Sequence, residues 1–94
     1  MNLHVTKEAA EWYKQEFDIN QSAHLRYYVR YGFGGHIPGF SLGVRIDNPN
    51  EIHASSLVDG ITFFIETADA WYFEAVDLRV QWNKQKQEPE FIYD

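Results

Sequence analysis

The sequence predicts an α+β domain: a compact β-sandwich of mostly antiparallel strands with an N-terminal helix and a second short helix. Three observations predict it. Several segments alternate apolar and polar residues at the strand period, two segments carry the helical period, and the helices do not alternate regularly with the strands as a βαβ sheet requires. With 94 residues there is room for one hydrophobic core, so residues 1–94 are expected to form a single domain.

Thr6 is placed to cap a helix from Lys7 to about Phe17, and Glu8 complements the positive end of its dipole. Ala9, Tyr13 and Phe17 fall on one face, widened by Ala10 and Trp12, and Val5 with Ala10 has the spacing of a hydrophobic staple. After a loop from Asp18 to Ser22, Leu25, Tyr27, Val29 and Tyr31 alternate with His24, Arg26, Tyr28 and Arg30, the clearest strand signature in the chain. Leu42, Val44 and Ile46 repeat the alternation until the Asp47–Asn50 turn, so these two strands are expected to pair.

Ile52–Val58 and Ile61–Glu66 flank Asp59-Gly60, a dipeptide suited to a two-residue hairpin turn in which both positions need positive φ. Thr67 is the expected cap of a short helix, with Ala68, Trp71, Tyr72 and Ala75 at helical spacing. Val76, Leu78, Val80 and Trp82 alternate with polar residues as a strand. Residues 83–90 read as a loop and Phe91-Ile92-Tyr93 as a short last strand.

An apolar fraction of 45%, with 17% aromatic residues, gives enough buried area to offset chain ordering. The formal charge of −6 argues against nucleic acid or an anionic membrane as partner, since both demand a concentrated basic surface. No apolar run approaches the roughly 20 residues of a bilayer span, and Met1–Glu8 has neither the basic nor the apolar region of a signal peptide, which predicts a cytoplasmic protein. The absence of cysteine excludes disulfides, thiolate-held clusters and thiol nucleophiles.

Between the first two strands lies Gly32-Phe33-Gly34-Gly35-His36-Ile37-Pro38-Gly39-Phe40-Ser41-Leu42-Gly43. With the Val58-Asp59-Gly60 turn and the Ala75–Leu78 strand, this segment resembles the HesB-like domain of A-type iron–sulphur carriers over nearly the whole chain. The family's first cluster motif sets Gly-Gly before a cysteine and then a small residue, Gly and an aromatic. Gly34-Gly35 and Gly39-Phe40-Ser41 match its two sides, with one extra residue between them. The cysteine position falls on His36 counted from the left and on Ile37 counted from the right, and the family's Cys-Gly-Cys has no counterpart. The resemblance therefore implies a non-enzymatic protein linked to iron–sulphur biogenesis that holds no stable cluster. His36 is then the candidate metal residue, a neutral imidazole able to take iron or zinc weakly. The alternative is a cysteine-free protein-interaction module that keeps the scaffold without metal chemistry.

Other motifs carry less. Pro38 and a strand follow the glycines where a phosphate loop needs Gly-Lys-Ser/Thr and a helix, and His4, His24, His36 and His53 have no metal-motif spacing. Arg26, Tyr28 and Arg30 share a strand face with Arg45 near, an arrangement suited either to single-stranded nucleic acid or, better in an acidic chain, to cross-strand pairing with carboxylates. No nucleophile elbow or Ser-His-Asp order is legible. A protein partner, or self-association into a homo-oligomer, is what remains. The expected contact surface is aromatic, with at least one of Tyr28, Phe33 and Trp71 exposed while most of Trp71-Tyr72-Phe73 and Trp82 joins the core.

Overall fold

The computed structural model describes residues 1–94 as two sheets and one α-helix around a shared core. In chain order the elements are β1 (Leu3–Val5), α1 (Lys7–Glu16), β2 (Ala23–Tyr31), β3 (Phe40–Ile46), β4 (Ile52–Val58), β5 (Ile61–Glu66), a 3-10 helix (Thr67–Tyr72), β6 (Leu78–Asn83) and β7 (Glu88–Tyr93). One sheet has the order β1-β6-β7 and the other β3-β2-β5-β4. The α+β class predicted from the alternation is the class observed.

The helix begins as its sequence dictates. The Thr6 hydroxyl accepts from the Ala9 N–H at 3.2 Å, and Ala9, Ala10 and Tyr13 are buried. In the four-stranded sheet β2 and β3 pair antiparallel, Tyr27 opposite Val44 and Val29 opposite Leu42. The β4–β5 hairpin turns on Asp59 (φ 54°) and Gly60 (φ 82°), both in the left-handed region that a mirror-image turn requires. The two hairpins join through a parallel β2–β5 pairing, with Leu25 opposite Phe63. Leu25, Tyr27, Phe63 and Ile65 from this sheet meet Leu78 and Val80 from the other, and α1 supplies Ala9, Ala10 and Tyr13 to the same core.

Three local expectations change. Leu3-His4-Val5 forms a strand parallel to β6, with Leu3 and Val5 buried and His4 exposed, too short to carry a periodic signal. Half of the expected 83–90 loop is strand: Asn83 Oδ1 accepts from the N–H groups of Gln85 and Lys86, tightening the turn so that β7 starts at Glu88. Glu-Pro-Glu hides this, since charge and proline are tolerated where an edge strand would otherwise invite pairing. The second helix is 3-10, and Thr67 does not cap it, because its hydroxyl donates to the Glu51 carbonyl at 3.1 Å.

Candidate protein-interaction site

The glycine-rich segment closes the β2–β3 hairpin as a shaped loop. Gly34 and Gly39 both have φ 88°, a conformation that L side chains resist. Gly35 is required for another reason: a Cβ there would lie 2.1 Å from the Phe40 carbonyl oxygen and 2.2 Å from the Tyr72 hydroxyl. That close approach lets the His36 N–H donate to Tyr72 Oη at 2.6 Å. Tyr72 is fully buried, so a core side chain of the 3-10 helix holds the middle of the loop.

The His36 ring stacks on Tyr93 at 5.1 Å and meets Tyr72 edge-on at 5.9 Å. Burial, then the neighbouring Tyr72 hydroxyl, pushes the Tyr93 phenol far above its ordinary value, so the ring stacked on the histidine stays neutral. Tyr72 and Tyr93 are thus the aromatic neighbours of His36. His4, His24 and His53 are exposed on other elements, and no group of three or more His, Cys, Asp or Glu side chains is placed to hold a metal ion.

Next to the loop is an aromatic rim. Tyr31 is 88% exposed, Phe33 97% and Trp71 49%. Tyr31 stacks on Phe40 at 5.4 Å, and Phe40 meets Trp71 edge-on at 5.2 Å. Val29, Arg30, Tyr31, Phe40, Asp69 and Trp71 line an open groove of about 300 Å³. At least one of Tyr28, Phe33 and Trp71 is expected to be exposed, and both Phe33 and Trp71 are, while Tyr72 and Phe73 are core as expected. Tyr31 is the residue that alternation misplaces: it has the register of a core position but lies at the strand end, opposite Phe40.

The basic strand face is occupied from within. Arg26 donates to Asp47 at 3.3 Å and to Asp69 at 3.0 Å, and Arg45 shares Asp47 while lying 4.6 Å over the Tyr28 ring. Arg26 loses solvation on burial, but its bonds to Asp69 and Asp47 outweigh that and raise its pKa. The bond from Arg26 holds Asp47 below the usual carboxylate range. Gly43 lies opposite Tyr28, where a Cβ would come within 2.5 Å of the phenol ring. Arg26 and Arg45 are thus engaged with carboxylates, supplied by the turn after β3 and the 3-10 helix and not by a facing strand, since Arg26 lies opposite Arg45, and Arg30 makes no ion pair.

This chain is 44% identical over 94 residues, 99% of each sequence, to a Bacillus subtilis protein named pyruvate dehydrogenase inhibitor. The two belong to one family. Uncharacterised proteins of Staphylococcus epidermidis, 33% identical over 99% of this chain and 97% of theirs, and of Staphylococcus haemolyticus, 31% identical over 86% of each, are similar as well. No family model and no solved structure matches the chain.

These relatives overturn the HesB-like assignment. The end-to-end similarity is to a protein named for inhibiting pyruvate dehydrogenase, and the iron–sulphur role implied by the resemblance is withdrawn with it. The physical reason for the error lies in the loop. Gly34, Gly35 and Gly39 answer to backbone conformation and to the close approach of Tyr72, requirements that exist without a cluster. A relative named as an inhibitor agrees with the non-enzymatic reading and with a protein partner. No helix is long and apolar enough to cross a membrane.

Proposed function

We propose that this chain is a non-catalytic regulator that inhibits a pyruvate dehydrogenase by binding it. The full-length similarity to a protein of that name carries the proposal. Support from geometry comes from the aromatic rim: Tyr31, Phe33 and Trp71 present large apolar area beside a groove and on a loop tied to the core through Tyr72. Aromatic and arginine anchors of this kind dominate protein interfaces, and a loop held in place loses little entropy on binding. A pyruvate dehydrogenase partner would place the chain in the cytoplasm. Self-association would use the same rim and would compete with inhibition.

The test is pyruvate-dependent reduction of NAD by the dehydrogenase complex of the source organism, measured with increasing amounts of the purified chain. A saturable fall in rate is expected, together with co-migration of the chain and the complex on gel filtration. Unchanged rates across a saturating range would end this reading.

A further inference from the structure

A second groove lies between α1 and β6. Glu8, Glu11, Trp12 and Gln15 share one face of the helix and line, with Trp82 of β6, an open groove of about 300 Å³. Both indoles are partly buried, and Trp12 is held edge-on against the core residue Tyr13 at 5.3 Å. Glu8, Glu11 and Gln15 are exposed. The five ion pairs of the chain join Lys14 to Asp59, Arg26 to Asp47 and Asp69, Arg45 to Asp47, and Arg79 to Asp94. Neither Glu8 nor Glu11 takes part in any of them. Glu8 sits in the first turn, where it answers the helix dipole, whereas Glu11 lies beyond that turn.

We propose that this groove receives an arginine side chain from an exposed segment of a partner protein. The charge and the walls select that occupant together. Indole faces attract cations, tryptophan most strongly, and a guanidinium can lie flat on an indole while its N–H groups reach carboxylates in its own plane. An apolar side chain would strip water from Glu8 and Glu11 without compensation, and an acidic one would be repelled. The net charge of −6 favours approach of a basic segment over long range. Because α1 and β6 build this groove and the β2–β3 loop does not, the inference stands apart from the inhibitory reading.

The intact chain is titrated with the peptide acetyl-Gly-Arg-Gly-amide, and in parallel with its citrulline analogue, which keeps the shape and lacks the charge. Two-dimensional NMR follows the indole N–H signals. Saturable shifts of Trp12 and Trp82 are expected with the arginine peptide, weakened by added salt and nearly absent with citrulline. The double substitution E8Q/E11Q should lower the affinity roughly tenfold while leaving the remaining spectrum in place. Equal shifts with citrulline, or an affinity indifferent to E8Q/E11Q, would overturn the proposal. Indole signals that instead move with protein concentration in the absence of peptide would identify a second copy as the occupant and overturn it equally.

Discussion

The two ends of strand β2 carry similar residues and meet opposite fates. Near its start, Arg26 is 18% exposed and held by Asp47 and Asp69; at its end, Tyr31 is 88% exposed and leads into Phe33 at 97%. In both places an aromatic stands next to an arginine in sequence. What differs is what the rest of the fold delivers. The turn after β3 and the 3-10 helix bring carboxylates to the first end. The second end runs past the core into glycines, which have no side chains to cover a ring. A charge that finds partners becomes part of the folding energy, whereas apolar area left uncovered becomes available for association.

The largest effect is expected at the paired end. Arg26→Met leaves Asp69, 13% exposed, without its cation and should destabilise the domain by about 3 kcal/mol in urea unfolding. The double variant Arg26→Met/Asp69→Leu should recover most of that loss, because it removes the stranded carboxylate as well. A single variant as stable as the parent would mean that the two ends of β2 do not differ in the way described. So would a double variant no better than the single.

At the uncovered end, stability and binding should separate. Phe33→Ala should change unfolding free energy by no more than about 0.5 kcal/mol, since the ring is almost wholly in solvent. Trp71→Ala should weaken the proposed inhibition by roughly thirtyfold, about 2 kcal/mol, if the rim holds the anchor of the interface. Titration of both variants in the rate assay, beside urea unfolding, checks the separation. Inhibition that survives both changes would move the interface elsewhere on the molecule.

How much of this was legible in the sequence follows the range of the forces involved. The α1 cap at Thr6, the alternation of β2 and the Asp59-Gly60 turn depend on neighbouring residues, and each could be read directly. The parallel links β1–β6 and β2–β5 join residues far apart in the chain and leave no local pattern. The glycine loop shows how a local motif can mislead. Gly35 is explained by Tyr72, 37 positions away in sequence but in direct contact with the His36 backbone, so the glycine pattern resembles a cluster motif while serving a packing contact. The exposed rim was anticipated in kind through Phe33 and Trp71. Tyr31 was not, because alternation gives a residue its face but not its distance from the end of the core.

An expected effect of opposite sign, modest at neutral pH, lies between the two ends, at Tyr27. Its ring is wholly buried and stacks on Phe63 at 5.9 Å, but its hydroxyl makes no well-formed hydrogen bond, the Tyr13 hydroxyl being near but poorly placed. An unpartnered buried hydroxyl costs its lost hydration, so Tyr27→Phe should stabilise the domain by about 1 kcal/mol at neutral pH. Burial, reinforced by the nearby Tyr13, pushes the Tyr27 phenol well above its ordinary value of 10.0. Below that value both folded and unfolded chains keep the proton, and the stability is fully present. Above it the unfolded chain ionises first, so stability falls as pH rises through the raised native value, by about 1.4 kcal/mol per pH unit for each such group. Tyr13, raised to about 12, adds to the same decline. Tyr27→Phe should therefore gain at neutral pH and also flatten the loss above pH 10, both read from urea unfolding across that range. A variant less stable than the parent would mean that the hydroxyl has a partner in the core, and the middle of β2 would then belong with its paired end.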